Sequence, residues 1–299
     1  MTVNALVDFA TLKTAAKYVR TFKDQTFVFK IGGELCDDSK SLNQILEQIA
    51  VLQTLGISVV IVHGGGKNAT ELGERLGFRS SFVNGRRITS EDMIEVAKMS
   101  FAGVLNTNLV AALNRLGVPS VGISGIDGGL VTAHRRPPVE VLDDRAGETR
   151  TVDFGFVADI DEVDTTLIET FIDTQTVPII CSLVADNDGT VLNINADTLA
   201  STLAQALYAT KLIVLTQAEG VLADVNDSSS LISSLTIEQA QAMIADGSAG
   251  GGMNPKLTNA IGALQNGVAQ VHIVSGVKPD AILAEVFTNE GSGTMITAV

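Results

Sequence analysis

Short apolar runs alternate with amphipathic stretches along most of the chain, and this alternation constrains the fold more than any single motif. Residues 26–31, 58–62, 211–216 and 271–275 read as strands, and residues 42–55 place apolar side chains on one face of a helix. Nearly continuous apolar runs are typical of parallel strands covered on both faces. The sequence therefore predicts an α/β fold, a three-layer αβα sandwich with a mostly parallel central sheet, built as two lobes plus an N-terminal helix.

The predicted division of the chain has three parts. Residues 1–24 form an amphipathic helix outside the sheet, which either packs on its own core or serves as an oligomerisation arm. Residues 25–208 form one lobe and residues 209–299 the other, because a new strand–helix series begins near 208–210. Further helices are predicted at 163–174, 197–209, 236–245 and 256–267, further strands at 120–124 and 177–182, and an exposed hairpin or loop at 134–150.

Charge and cysteine content restrict the class of partner. With 34 acidic and 20 basic residues the formal net charge is −14, which argues against nucleic acid or an anionic membrane as a partner. Cys36 and Cys181 are far apart, with no C-x-x-C pattern, so neither a disulfide nor a zinc site is expected. No apolar run reaches the roughly 18 residues of a membrane span. We expect a protein of the reducing cytoplasm.

Two glycine-rich turns directly follow predicted strands. Lys30 ends the strand before Gly32 and Gly33, and residues 64–66 are three glycines at the end of the next strand. Neither turn fits a P-loop or a dinucleotide fingerprint. Such turns at the carboxyl ends of parallel strands point unpaired backbone amides into one crevice. Together with a lysine, they predict an anion-binding site. Taken singly, each turn is equally explained by the geometry of a tight connection.

Other polar residues stand at predicted element ends. Asn193 and Asp197, in "NINAD", could face one point, although Asp197 could instead cap the helix it opens. Lys256, in "GGMNPK", would stand beside a helix N-terminus or simply be solvated. Arg87 is a candidate clamp for a carboxylate, because arginine offers a bidentate fork. His63 has no nucleophile motif nearby, so a structural role is favoured over general base catalysis.

From about residue 26 to the C-terminus the chain contains, in this order, "FKIGGE", "VVIVHGGG", "RRIT", "VGISGIDGGL", "VDFGFV", "NINADTLA", "LIVLT", "GGMNPK" and "GVAQVHIVSG", followed by "EGSGTMI". Taken in this order, these motifs resemble those of the amino acid kinase family, and in particular its branch acting on N-acetylglutamate. The resemblance implies transfer of the ATP γ-phosphoryl group to the side-chain carboxylate of N-acetyl-L-glutamate, the second step of arginine biosynthesis. The nucleophile is already an anion, so catalysis would rest on positioning and charge neutralisation.

The resemblance also implies a role for individual residues. It implies acyl-amino-acid binding and dimerisation in the lobe 25–208, nucleotide binding in the lobe 209–299, and Mg²⁺ carried by ATP with no metal site in the protein. The implied catalytic residues are Lys30, Lys256 and Asp197; the substrate-binding residues are Gly65, Gly66, Arg87 and Asn193; and the phosphate- or nucleotide-binding residues are Gly32, Gly33, Gly64, Thr216 and Gly252.

The N-terminal helix resembles the arm of hexameric members that arginine inhibits. That likeness implies a hexamer rather than a dimer, with an arginine site at Tyr18, Glu285 and Gly291. Departures from the family pattern occur at Ile31, at Lys67-Asn68 and at 216–220, so the rim of the substrate pocket and the nucleotide contacts could differ. N-acetylaminoadipate or N-succinylglutamate therefore stay open as substrates, and a non-catalytic amino-acid or nucleotide sensor as an alternative function.

Overall fold

A computed structural model describes residues 9–142, 148–227, 229–250 and 252–299. The strands are β1 Thr26–Ile31, β2 Ser58–His63, β3 Ser81–Val83, β4 Arg86–Ile88, β5 Ser120–Ser124, β6 Val131–Arg135, β7 Val139–Leu142, β8 Thr149–Val152, β9 Ala158–Val163, β10 Val177–Cys181, β11 Leu183–Ala185, β12 Val191–Asn193, β13 Lys211–Thr216, β14 Ser234–Thr236, β15 Gln270–Ser275 and β16 Thr294–Thr297. The helices are α1 Phe9–Phe22, α2 Gly33–Asp37, α3 Ser39–Thr54, α4 Gly66–Arg75, α5 Glu91–Ala97, α6 Asn106–Arg115, α7 Thr166–Asp173, α8 Ala196–Ala206, α9 Ile237–Ala245, α10 Met253–Gln265 and α11 Ala281–Phe287. A π-helical segment, Lys98–Leu105, joins α5 to α6.

Eight strands form one central sheet, in the order β14-β16-β15-β13-β1-β2-β10-β5. Neighbouring strands are parallel except for β15 and β16. Along β1, Phe27 and Phe29 face the core that contains α3, α5 and α11, whereas Val28 faces the core that contains α8 and α10. The predicted three-layer α/β fold with a mostly parallel sheet is confirmed. β1 and β13 come from the two predicted lobes, yet they are adjacent strands of this one sheet. The division into lobes at 208 therefore stays a prediction.

Several element boundaries differ from the sequence prediction. The stretch 134–150 is not one hairpin, because His134 and Arg135 belong to β6, while β7 and β8 form the hairpin beyond them. Residues 143–147 lie outside the described part. A four-stranded sheet, in the order β12-β11-β6-β9, was not predicted at all. Its strands are short, and β6 and β11 pair although they are distant in sequence, so local periodicity gave no signal for this sheet.

The expectation that no stretch could span a membrane needs one correction. The helical run Glu91–Arg115 is apolar and long enough by composition and length. Phe101, Leu109 and Leu113 within it are buried in the protein core, and the run packs against β5. Its apolar character is therefore explained by packing within this fold.

The N-terminal helix is described from Phe9 onwards, and the predicted helix residues 1–8, Leu6 among them, lie outside the described part. Phe22 at its end packs edge-on against Phe27 of β1 at 5.4 Å, and Tyr18 packs edge-on against Phe287 of α11 at 6.5 Å. These contacts anchor the end of α1 to both β1 and α11 of its own chain. Its service as an oligomerisation arm stays a prediction.

Candidate active site

The two glycine turns meet at one edge of the sheet. Because β1 and β2 are adjacent and parallel, with Ile31 opposite His63, their carboxyl ends coincide. A Cβ placed on Gly33 would lie 3.4 Å from the backbone nitrogen of Gly66, so the turns are in direct contact. Among the described residues, no acceptor receives the amide of Gly65, and this donor is free to bind an anion at the start of α4.

Lys30 and Asp197 form an ion pair beside these turns. Lys30 lies on the α8 side of β1, and its Nζ is 2.9 Å from Asp197 Oδ1, with both side chains largely buried. Asp197 is not the helix cap considered in the sequence analysis, because the side chain of Asn195 accepts from the amides of Asp197 and Thr198. Asn195 thus satisfies the helix end and leaves the carboxylate of Asp197 available to Lys30.

Lys256 approaches the same region from the first turn of α10. Its Nζ donates to the carbonyl of Gly252 at 3.0 Å. Burial lowers the pKa of Lys256; the Asp197 carboxylate opposes this shift, and the Lys30 ammonium adds to it. This mutual influence places the two lysines and the aspartate in one electrostatic unit. Gly251, the neighbour of Gly252 in the motif, lies outside the described residues.

The predicted site residues line two neighbouring cavities. The larger, about 600 Å³, opens between the glycine turns and the start of α8, and the smaller, about 250 Å³, opens beside α10. The larger is lined by Lys30, Gly33, Gly64, Gly65, Gly66, Arg87, Asn193 and Asp197, with Glu34, Lys67 and Phe82 among its other lining residues. The smaller is lined by Thr216, Gly252 and Lys256. A Cβ on Gly32 would lie 4.0 Å from Lys30 Nζ, so Gly32 also adjoins the larger cavity.

Arg87 is held in the wall of the larger cavity. Its guanidinium donates to the Gly66 carbonyl at 2.5 Å and to Thr70 Oγ1 at 2.7 Å, and also to Ser80. It lies 4.8 Å from the centre of the Phe82 ring, a cation–π contact. Burial lowers the pKa of Arg87 without removing its charge. The guanidinium of Arg87 is therefore held against α4 at the wall of this cavity.

Asn193 is fixed from two sides. Its backbone amide donates to the Phe156 carbonyl at 2.9 Å, and its side chain donates to Thr89 Oγ1 at 3.3 Å. Thr89 is fully buried and also binds the backbone at Phe154 and Phe156. The side chains of both predicted carboxylate neighbours, Arg87 and Asn193, thus have hydrogen bonds within the protein.

Phe101 and Leu105 were missed by the sequence analysis. A Cβ on Gly65 would lie 2.5 Å from Leu105 Cδ1 and 2.6 Å from Phe101 Cδ1. These side chains belong to the π-helical segment, so the middle glycine of the triplet is required by packing as well as by any ligand. The glycine triplet signalled a close approach, but only the tertiary structure identifies what approaches.

The three residues of the implied arginine site lie around α11. Glu285 accepts from the amides of Ser292 and Gly293 at 2.6 and 2.9 Å. Gly291 has a φ of 67°, and a Cβ there would lie 2.8 Å from Glu285 Oε2. Tyr18 donates to Asn289 Oδ1 at 2.5 Å. The structure thereby brings Glu285 and Gly291 into contact, and Tyr18 of α1 contacts the loop that follows α11 through Asn289.

A buried relay missed by the sequence analysis extends from Glu285. Its Oε1 is 2.6 Å from His272 Nδ1, and His272 Nε2 is 2.9 Å from Lys211 Nζ. Burial raises the pKa of Glu285, but the hydrogen bonds from His272, Ser292 and Gly293 outweigh it and lower the pKa to about 2. Burial lowers the pKa of Lys211 to about 8, against the opposing effect of Glu285. The sequence signal that could have indicated this relay is the presence of Lys211 and His272 in two otherwise apolar strands.

Known proteins resemble this chain over most of its length. A model of the amino acid kinase family matches residues 25–275. The acetylglutamate kinase of Myxococcus xanthus (strain DK1622) is 46% identical over 288 residues, which are 96% of this chain and 94% of that relative. The chain therefore belongs to the amino acid kinase family.

Within that family the chain is similar to further acetylglutamate kinases, such as that of Methanocaldococcus jannaschii, which is 37% identical over 96% of this chain and 95% of that relative. The chain is a kinase. Among solved structures, N-acetylglutamate synthase from Neisseria gonorrhoeae with coenzyme A and N-acetyl-glutamate has a TM-score of 0.82 at 28% identity, covering 97% of this chain and 63% of that one. The same synthase with coenzyme A and L-arginine has a TM-score of 0.80 at 24% identity, covering 98% and 66%.

Proposed function

We propose that this chain phosphorylates the side-chain carboxylate of N-acetyl-L-glutamate with ATP, in the second step of arginine biosynthesis in the cytoplasm. The similarity to acetylglutamate kinases over 96% of the chain supports the substrate. The observation that carries the proposal is the 2.9 Å ion pair of Lys30 with Asp197 beside two contacting glycine turns. A lysine ammonium and the free amide of Gly65 side by side supply the positive charge and the hydrogen-bond donor that phosphoryl transfer needs, and this supports the proposal.

In the proposed mechanism, Lys30 and Lys256 flank the transferred phosphoryl group. Asp197 holds Lys30 in place, and its carboxylate opposes the lowering of the Lys256 pKa by burial. No general base is required, because a carboxylate is already the nucleophile. The protein then contributes mainly neutralisation and alignment of two anions that would otherwise repel each other.

The two cavities receive different substrates in this proposal. The larger holds the acylated amino acid, with Arg87 and Asn193 at its α-carboxylate and the amides of Gly65 and Gly66 at neighbouring oxygens. The smaller holds the nucleotide near Thr216 and Gly252, and Gly32, Gly33 and Gly64, beside the larger cavity, contact phosphate oxygens.

Mg²⁺ would neutralise the phosphate oxygens and is carried by the nucleotide. Within the described residues, no group of three acidic, histidine or cysteine side chains gathers as a metal site. Asp197, which lines the larger cavity, already pairs with Lys30. This donor set fits a metal held mainly by phosphate oxygens.

Arginine is the proposed feedback inhibitor, bound where Tyr18, Glu285 and Gly291 adjoin. Glu285 supplies a buried carboxylate with a pKa of about 2, and the loop from Asn289 to Gly293 surrounds it. A guanidinium or an α-ammonium group would find its counter-charge there. We further propose a hexamer in which α1 joins dimers.

The test is ATP-dependent acyl-hydroxamate formation with N-acetylglutamate, N-acetylaminoadipate and N-succinylglutamate, each with and without millimolar arginine. Activity confined to the first substrate and suppressed by arginine supports the proposal. Preference for either other substrate would reassign the acyl group. No activity from a folded, ATP-binding protein would favour the sensor alternative, and Asp197→Asn serves as the inactive control.

A further inference from the structure

We propose that His63 is a positioning residue that holds the Gly64–Gly65 peptide in the one orientation that turns the Gly65 amide towards the larger cavity. The inference rests on the proposed function, since it concerns the anion that this cavity would bind. No step of the proposed phosphoryl transfer uses His63, whose side chain does not line the cavity.

The location of His63 excludes direct chemistry. It ends β2 with 0% exposure, and it lies opposite Ile31 on one side and Cys181 on the other, on the face of the sheet that carries Ile61. Lys30 belongs to the opposite face, where α8 supplies Asp197. An imidazole on the core face cannot exchange protons with a substrate in the cavity.

The ring nevertheless makes one directed contact with the glycine turn. His63 Nδ1 lies 3.1 Å from the carbonyl oxygen of Gly64. A carbonyl can only accept, so Nδ1 carries the proton and Nε2 is a lone-pair acceptor. Among the described residues, Nε2 has no partner although it is fully buried. A leucine here would avoid that unpaired group, so the contact at Nδ1 is the feature that distinguishes histidine from an apolar residue.

The contact controls which way the following amide points. In a trans peptide the C=O and N–H groups point in opposite directions. With the Gly64 carbonyl directed at the His63 ring, on the core side, the Gly65 N–H is directed away from it, towards the cavity that Gly64 and Gly65 line.

Two consecutive glycines make this orientation vulnerable. Neither has a side chain to oppose rotation of the peptide between them, and glycine readily adopts both signs of φ. The packing of Phe101 and Leu105 against Gly65 fixes the position of its α-carbon but not the plane of the preceding peptide. Without the Nδ1 donor, rotation would replace an amide by a carbonyl oxygen facing the bound anion. His63 supplies the missing restraint.

The experiment compares His63→Phe with His63→Asn. Phenylalanine keeps a planar ring but removes the donor, whereas the asparagine amide can donate from nearly the position of Nδ1. Cys181→Ala is the matched control, a buried change beside His63 on the same sheet face. We expect His63→Phe to lose on the order of a hundredfold in kcat/KM, as for one donor of an anion site. His63→Asn and Cys181→Ala should stay within about fivefold of wild type on the same scale.

The separate changes in kcat and KM of His63→Phe identify which anion the Gly65 amide binds. A rise in KM for the acylated amino acid alone assigns it to the substrate carboxylate, and a fall in kcat with unchanged KM assigns it to the transferred phosphoryl group. Thermal unfolding is measured in parallel. A purely structural role predicts losses of activity that follow losses of Tm in both variants, and that result would overturn the inference.

Further outcomes are equally decisive. Wild-type kinetics in His63→Phe, or equal losses in both variants, would refute a positioning role. Should His63→Phe not fold, His63→Gln replaces it, because its longer side chain places the donor near Nε2 instead. A crystal structure of the donor-free variant shows the direction of the Gly64 carbonyl without any assay. That structure still tests the inference if the wild-type protein proves inactive, an outcome that would remove the proposed function instead.

Discussion

Gly65→Ala is the substitution whose effect follows most directly from the structure. The added Cβ would lie 2.5 Å from Leu105 Cδ1 and 2.6 Å from Phe101 Cδ1. Carbon atoms in contact prefer about 3.5–4.0 Å, so the turn and the π-helical segment must separate by about 1 Å. Both neighbours are buried, at 4% and 5% exposure, and have little space to retreat. Overpacking of this kind costs about 1–3 kcal/mol.

The larger effect should be on catalysis, because the displaced turn carries the amides proposed to bind the anion. A displacement of about 1 Å in a positioning element costs on the order of a hundredfold in rate. We therefore expect a folded protein with a Tm lower by several degrees and kcat/KM lower by about two orders of magnitude. Steady-state kinetics and calorimetry on one preparation measure both quantities.

Two control variants test whether the effect of Gly65→Ala comes from the steric clash. Gly262→Ala lies within α10, where a Cβ meets nothing within 4 Å, and should be neutral or slightly stabilising. Gly65→Ala combined with Leu105→Ala should recover part of the lost stability, since it removes one of the two clashing side chains. Wild-type kinetics and Tm for Gly65→Ala alone would refute the steric argument. An equally large loss of kcat/KM and Tm in Gly262→Ala would show that the effect does not depend on the close packing around Gly65.

Four further outcomes are expected. Asp197→Asn should lower kcat/KM at least a hundredfold, because it releases Lys30, and should lower the free energy of unfolding by about 1–3 kcal/mol. Steady-state kinetics and denaturant unfolding measure the two effects, and a fully active variant would exclude a catalytic role for Asp197. Lys256→Met should lower kcat by about 10²–10³ without loss of Tm, because burial already disfavours its charge; a lower Tm with normal kcat would contradict this. Burial lowers the pKa of His63 to about 4 in the folded protein. As the pH falls below 6.5, His63 is therefore protonated in the unfolded chain but not yet in the folded one. The free energy of unfolding should fall by about 3 kcal/mol between pH 6.5 and pH 4. Urea titrations should find that loss absent in His63→Phe. Glu285→Gln should raise the arginine concentration for half inhibition at least tenfold with kcat unchanged, and unaltered inhibition would remove Glu285 from the site.

Much of the candidate site was predictable because its signals are local in sequence. Glycine turns immediately after apolar strands place bare amides at a sheet edge whatever the rest of the chain does. Lys30 at a strand end and Lys256 in a first helical turn were named for the same reason, and the structure brings both near Asp197. The assignment of catalytic roles to these residues stays a prediction.

The residues that sequence reasoning missed depend on contacts between distant segments. Phe101 and Leu105 are ordinary apolar residues in the sequence, and nothing local indicates that they pack on Gly65. Lys211 and His272 come together because β13 and β15 are neighbours in the sheet, a pairing that their separate motifs do not reveal. Strand order is decided by packing of the whole chain, not by periodicity.

The alternative readings of single residues were resolved in the same way. Asp197 stood as either a helix cap or a site residue, and the cap is Asn195, two positions earlier. Sequence alone cannot choose between them, since both are residue types favoured at a helix start. The choice depends on where the backbone leaves β12.

The sequence by itself determined the fold class, the positions of the main strands and helices, and the family, because these follow from hydrophobic periodicity and from motifs within a few residues of each other. The tertiary structure decided which turn faces which side chain, where Lys211, His272 and Glu285 meet, and that His63 points into the core. The physical reason is that a strand alternates its side chains between two faces, so a side chain's surroundings are fixed only when neighbouring strands and covering helices are in place.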